Sequence, residues 1–216
     1  MAKVAPSILS ADFLNLGRDI EILNASEADY IHLDIMDGTF VPNISFGFPV
    51  CKAVSTLAAK PLDAHLMVVH PERWFETLAS MGCRMVSFHQ ETARALTQAH
   101  IDAIHALGMK AGVAINPDIP VQRLYKYIGK ADFFVIMSVF AGFGGQKFIY
   151  ESLDRIEKLK NRILECGDAA LIEVDGGVNP SNASSIAGAG ADILVAGSSV
   201  FGAPDPAEAI SVIRRS

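Results

Sequence analysis

Three cysteines in 216 residues, at positions 51, 83 and 166, are too few and too widely spaced for a disulfide framework, and no pair has the C-x-x-C spacing of a thiolate metal site. Their expected state is reduced, in the cytoplasm. Positive charge is also short. Lys+Arg of 18 against Asp+Glu of 24 leaves a formal net charge of −6, which excludes broad attraction to nucleic acid or to an anionic membrane surface but leaves room for a local anion pocket. No apolar run reaches membrane-spanning length, and Met1-Ala2-Lys3-Val4-Ala5-Pro6 lacks the apolar stretch behind a basic end that marks an export signal. Neither export nor membrane insertion is expected. At 50% hydrophobic and 19% charged residues, the chain can bury one sizeable core, so a single domain over 1–216 is expected.

What is present is repetition. Short β-rich apolar runs recur, each followed by a turn signal and a stretch with helical spacing. Strands are expected near Val4–Leu9, Tyr30–Met36, Leu62–Val68, Met85–His89, Ala111–Ile115, Phe133–Val139, Leu171–Val174 and Ile193–Ala196. Ser10-Ala11-Asp12, Pro71-Glu72-Arg73-Trp74 and Asn179-Pro180-Ser181 read as helix starts, and Gly82, Gly108, Gly167 and Gly190 as helix stops. About eight βα units predict an α/β fold, a single (β/α)8 TIM barrel. An open doubly wound sheet would need a glycine-rich turn after its first strand, where this chain has Ser7-Ile8-Leu9-Ser10. In a barrel, residues at the C-terminal strand ends converge on one mouth, where the chemistry is found.

The strand period of two places His32, Asp34 and Met36 on one face, and Asp63, His65 and Met67 on another; a third polar end is Glu173-Val174-Asp175. Burying His32, Asp34, His65 and Asp175 without a partner would be costly, and a bound cation removes that cost. Two imidazoles with two carboxylates suit zinc, manganese, iron or cobalt better than calcium, which prefers an all-oxygen shell. Asp37 reads as a turn residue and Asp63 as a structural hydrogen-bonder. His89 reads equally as a mouth residue or a packed one. Two carboxylates flanking a cation suggest proton transfer next to a carbonyl, and acids on opposite substrate faces would invert a carbon centre.

Glycines follow the last three strands: Gly142, Gly144 and Gly145 around Phe143, then Gly176-Gly177, then Gly197 before Ser198-Ser199, which open a short helix. Backbone N–H groups at such positions can approach an anion closely, and barrels often hold phosphate at the seventh and eighth strand ends. Lys147 reads either as a phosphate ligand or, at least equally, as a surface lysine on the following helix, since the backbone suffices as the donor. Met36, Met67 and Met137 would form an apolar floor, with core filling an equal reading for Met137.

Ala5-Pro6-Ser7-Ile8-Leu9-Ser10-Ala11-Asp12-Phe13, His32-Leu33-Asp34-Ile35-Met36-Asp37-Gly38, Val41-Pro42-Asn43, Asp63-Ala64-His65-Leu66-Met67-Val68, Gly142 to Gln146 and Glu173-Val174-Asp175-Gly176-Gly177-Val178 closely resemble ribulose-phosphate 3-epimerases. The resemblance covers essentially the whole chain. It implies a barrel that interconverts ribulose 5-phosphate and xylulose 5-phosphate through a metal-stabilised enediolate, with one divalent metal ion on His32, Asp34, His65 and Asp175. It makes Asp34 the base and Asp175 the acid, with roles exchanging in reverse. Ser7 matches a residue that hydrogen-bonds the substrate, and Gly142 to Gly145, Gly176, Gly177, Gly197 and Ser198 match the phosphate grip. The expected partners are a ketose phosphate and further copies of the chain, with no nucleic acid and no membrane. Two departures stand out: Phe140-Ala141 precedes Gly142, and Gln90 follows His89, where the family commonly carries proline. Neither removes a chemical group; the first loosens the loop, so closure rate is where a difference is expected.

Allulose-6-phosphate 3-epimerases look similar over the same segments but tend to differ in the glycines at the sixth and seventh strand ends. Orotidine-type decarboxylases resemble an Asp-x-Lys-x-x-Asp pattern that this chain lacks. A non-catalytic phosphosugar sensor would not need both Asp34 and Asp175.

Overall fold

The structure, a computed structural model, describes residues 1–215; Ser216, the last residue of the expected domain, lies outside them. Within the described residues the strands are Lys3–Pro6 (β1), Ile31–Met36 (β2), Leu62–Met67 (β3), Cys83–His89 (β4), Lys110–Ile115 (β5), Phe133–Met137 (β6), Leu171–Asp175 (β7) and Ile193–Ala196 (β8). The helices are Leu16–Ala25 (α1), Phe48–Leu57 (α2), Phe75–Ser80 (α3), Gln90–Ala93 (α4), Thr97–Ala106 (α5), Ser152–Glu165 (α6), Ala183–Gly188 (α7), Ser198–Phe201 (α8) and Pro206–Arg214 (α9). The sheet runs β1-β8-β7-β6-β5-β4-β3-β2 with parallel neighbours throughout. A parallel bridge between Ser7 and His32 joins its two ends, and the N–H groups of Asp29 and Tyr30 reinforce that seam by donating to Val4 O at 2.9 and 3.3 Å. This is the (β/α)8 barrel that the spacing of apolar runs predicts.

Outward strand residues such as Leu33, Ile35, Phe134, Ile136, Ile172 and Val174 pack beneath the helices in one continuous core. On α6, Ile156, Leu159 and Ile163 recur on one face and are buried against that core, each side chain stabilising the fold by about 1.5–3 kcal/mol. Positive φ at Gly82, Gly108, Gly167 and Gly190 fits their reading as helix stops, because a left-handed residue ends a helix at little cost only when it lacks Cβ. Between β5 and β6 the helix is replaced by two 3₁₀ turns, Val121–Arg123 and Tyr125–Tyr127.

Some boundaries differ from the sequence reading, for local reasons. The first strand stops at Pro6 because Ser7 Oγ accepts the Leu9 N–H at 3.2 Å and bends Ile8–Ser10 into a 3₁₀ turn. Ser10-Ala11-Asp12 therefore does not open a helix: Asp12 takes the Leu14 N–H at 3.0 Å and the Asn15 side chain at 2.8 Å, and α1 starts after Asn15. Asn179-Pro180-Ser181 likewise forms a turn ahead of α7, with Asn182 Oδ1 accepting the Asn179 N–H at 2.8 Å.

The barrel interior is divided. One side is apolar, formed by Ala5, Met85, Ala114, Phe133, Val135, Met137, Ile193 and Val195; the other carries the fully buried polar groups His32, Asp63, His65 and Glu173. Gly112 makes the apolar side possible. A Cβ there would lie 2.3 Å from the Phe133 ring, on the strand neighbouring it in register. Gly112→Ala is expected to destabilise the barrel by about 1–3 kcal/mol, seen as a fall in thermal midpoint of about 2–4 °C per kcal/mol. An unchanged midpoint would mean that the ring moves freely.

Candidate active site

Register brings the polar side chains together. His32 pairs with Asp63, Asp34 with His65 and Met36 with Met67 across β2 and β3, while Asp175 ends β7 beside Met137 and Val195. His32 Nε2 lies 3.4 Å from Asp34 Oδ1, and His65 Nδ1 lies 3.6 Å from Asp34 Oδ1 and 3.4 Å from Asp175 Oδ2. One donor atom from each of the four residues falls within 4.8 Å of the others. Burial opposes charge on His32 and His65, but the surrounding carboxylates outweigh it and hold both imidazoles above their ordinary value. The same attraction holds Asp34 far below the usual carboxylate range despite its burial.

The chemistry of the set fits a cation. Among the described residues, buried His32 Nε2 and His65 Nδ1 have no hydrogen-bond partner although both face carboxylates. A lone pair held in a dry site against anionic oxygens suits a divalent ion. Behind His32, Asp63 Oδ2 takes the Nδ1 side at 2.7 Å, as expected of its structural reading, and leaves Nε2 for the cluster. Glu173 lies beneath, 3.7 Å from His32 Nδ1; burial, with the Asp63 charge added, pushes its carboxyl well above the ordinary range. Glu173 carries no motif signal of its own, but its two-residue spacing from Asp175 puts it on the interior face. Asp37 is a turn residue as expected, accepting N–H groups of Thr39, Phe40 and Val69 at 2.8, 2.9 and 2.8 Å.

His89, whose position in the sequence suits the mouth and the core equally, is packed. It is fully buried and stacks on His65 with ring centroids 5.0 Å apart, its Nε2 lying 2.9 Å from His65 Nε2 and its Nδ1 3.3 Å from Glu91 Oε1. Burial holds the imidazole below its ordinary value. Burial acts on Glu91 in the opposite sense, but hydrogen bonds from His89 and Asn116 hold that carboxyl below its ordinary value.

Above the polar cluster opens a cavity of about 240 Å³ walled by Ser7, Asp34, Met36, Met67, Met137, Gly142, Phe143, Gly144, Gly145, Asp175, Gly176, Gly177, Gly197 and Ser198. These are the expected substrate-facing residues except His65, which is fully buried beneath the wall. Ser7 Oγ donates to Asp34 Oδ2. Met36 and Met67 pack with Val41; Met137 both lines the cavity and belongs to the apolar interior, so its two readings coexist. Gly177 has φ +66° and an added Cβ there would sit 2.5 Å from Phe148 N. Gly177→Ala should therefore strain this wall by about 1–3 kcal/mol, and its inorganic phosphate affinity, read by calorimetry, is expected to fall about tenfold; equal affinity would place the anion elsewhere.

The 140–146 loop is tied down by side chains that sequence reading missed. Gln146 Nε2 donates to Phe140 O at 2.7 Å and Phe143 O at 2.9 Å, and Asn43 Nδ2 donates to Gly142 O at 2.8 Å. Ala141, in the segment where the resemblance leads one to expect proline, donates its N–H to Asn116 Oδ1 at 3.0 Å, a bond proline lacks the hydrogen to make. Arg155 on α6 donates to Met137 O, Asn116 O and Ile119 O at 3.0, 2.8 and 3.2 Å. Such long-range carbonyl contacts leave no spacing signal. Lys147 is exposed in the loop, because α6 begins only at Ser152.

A closed (β/α)8 barrel with four clustered donors and a glycine-lined cavity at its C-terminal strand ends defines an enzyme of the barrel class. The family described as ribulose-phosphate 3 epimerase matches residues 3–201. The chain belongs to that family and is an isomerase. The ribulose-phosphate 3-epimerase of Synechocystis sp. is 46% identical, over 99% of this chain and 93% of its own; that of Bacillus subtilis is 46% identical over 100% of both. The 3-hexulose-6-phosphate synthase from Salmonella typhimurium shares the fold, with TM-score 0.72 at 19% identity over 99% of this chain and 97% of that one. Among the described residues no helix is long and apolar enough to cross a membrane.

Proposed function

We propose that residues 1–216 form one catalytic domain that interconverts D-ribulose 5-phosphate and D-xylulose 5-phosphate by moving the proton at C3 between Asp34 and Asp175. The observation that carries this reading is that one cavity is lined both by the carboxylates of Asp34 and Asp175 and by the glycines that follow the last three strands. His32, Asp34, His65 and Asp175 would hold one divalent cation, and their mixed nitrogen and oxygen donors suit zinc, manganese, iron or cobalt. When bound, it supplies the positive charge that acidifies a C–H bond beside a carbonyl and stabilises the resulting enediolate.

The chain's own groups do the rest. Asp34 takes the C3 proton, and Ser7, hydrogen-bonded to that carboxylate, keeps it turned into the cavity and meets the substrate. Asp175, from β7, returns a proton on the opposite face, so one C–H bond breaks, another forms and the centre inverts without redox change. Met36, Met67 and Met137 keep water away from the reacting carbon. Backbone N–H groups about Gly142 to Gly145, Gly176-Gly177 and Gly197-Ser198 grip the phosphate. The three cysteines, all free thiols, support a cytoplasmic setting.

In heavy water, enzyme and ribulose 5-phosphate are expected to give deuterium at C3 in both epimers. No uptake with metal-loaded protein would refute catalysis and leave a binding protein; faster turnover of a six-carbon ketose phosphate would move the assignment to an allulose-6-phosphate 3-epimerase.

A further inference from the structure

His65 and His89 face each other through Nε2 atoms 2.9 Å apart, with ring planes 15° from parallel. A neutral imidazole has one N–H and one lone pair, so one of these atoms donates and the other accepts. Which does which is decided further out. His89 Nδ1 lies 3.3 Å from Glu91 Oε1, and an ionised carboxylate can only accept. His89 therefore carries its proton on Nδ1 and offers a lone pair at Nε2; His65 carries its own on Nε2 and is left with a lone pair on Nδ1, the atom beside Asp34 and Asp175. Every hydrogen bond in the row points toward Glu91.

The same Glu91 oxygen accepts the Asn116 N–H at 2.9 Å and its side-chain Nδ2 at 3.0 Å. Orienting the amide in this way leaves Asn116 Oδ1 to receive the Ala141 N–H at 3.0 Å. We propose that Glu91 is a positioning residue for both ends of the site: through His89 it sets the tautomer in which His65 presents Nδ1, and through Asn116 it anchors the base of the 140–146 loop. The second link depends on a residue with an N–H at position 141. The metal half of the inference rests on the reading that His65 holds a divalent cation.

The test uses two probes, Co²⁺ followed by visible absorption against a competing chelator, and inorganic phosphate followed by calorimetry. His89→Phe keeps the stacked ring but removes the acceptor; it is expected to weaken Co²⁺ binding about 10–100-fold, with a changed absorption band and unchanged phosphate affinity. Asn116→Ala is expected to do the reverse, weakening phosphate about fivefold, the worth of one hydrogen bond, with Co²⁺ affinity kept. Glu91→Gln should weaken both. If it does not fold, the first two variants decide alone. Should the unsubstituted protein fail to bind Co²⁺, the cation reading itself falls. Should it bind while His89→Phe and Glu91→Gln stay within about twofold of it, only the relay is overturned, and phosphate affinity unmoved by Asn116→Ala removes the loop link.

Discussion

Asp34→Asn and Asp175→Asn are each expected to lower the rate of epimerisation by about 10²–10⁴-fold, the range attributable to one positioned acid or base. The amide keeps the shape of the carboxyl but cannot take a proton, and each change leaves the other aspartate in place. The two residues approach from β2 and β7, with β1 and β8 between those strands, and His65 Nδ1 stands 3.6 Å from one carboxylate and 3.4 Å from the other. In heavy water each variant should therefore still exchange the C3 hydrogen of only one epimer, and the two variants should favour opposite epimers. Nuclear magnetic resonance of recovered substrate reads this directly. If the same epimer exchanges in both variants, the acids work from one side and inversion needs another donor.

The second large effect concerns the cation. Removal with a chelator should abolish turnover, and manganese, iron, cobalt or zinc should restore it. The contribution of His32 and His65 to the stability of the stripped protein should carry a defined pH sign. His32 and His65 lie above their ordinary value of 6.5 in the metal-free site, because the attraction of Asp34, Asp63 and Asp175 exceeds the opposing effect of burial. A raised folded value means that protonation stabilises the stripped fold fully below about pH 6.5, and that this contribution disappears as pH rises through the raised values. The cation gains the vacated nitrogens over the same interval. Its stabilising effect should grow with pH, approaching about 4 kcal/mol when present at 1,000 times its dissociation constant. Thermal melts across a pH series, with and without chelator, measure it; a stabilisation that shrinks with rising pH would show that the ion does not displace these protons.

The barrel's polar wedge explains why so much chemistry fits one small site. Asp63 and Glu173 crowd His32 from below, while Met85, Phe133, Val135 and Ile193 fill the other side. The low-dielectric surroundings magnify each interaction among the buried polar groups. Loss of a side chain that orients a metal-binding group from beneath typically costs about 10–100-fold in metal affinity.

Much of this was legible in residue order. Alternation along β2 and β3 has a period of two, so His32, Asp34, Asp63 and His65 necessarily share interior faces once those strands exist. The glycines after the last three strands mark backbone that must turn tightly or be approached closely, and Gly176 and Gly177, with φ of +115° and +66°, occupy conformations that resist a side chain. Eight recurring βα signals determined the barrel, because hydrophobic period and turn chemistry act within a few residues of one another. What the sequence by itself could not determine was anything set by contact between distant segments. The packing of His89 against His65, the reach of Glu91 to Asn116 and of Asn116 to Ala141, and the clasp of Gln146 and Asn43 on their loop came only with closure of the barrel. Neighbouring residues constrain each other's backbone angles directly, whereas groups 25 residues apart, as the Asn116 side chain and the Ala141 N–H are, meet only where the whole chain has already packed, and no local pattern records that meeting.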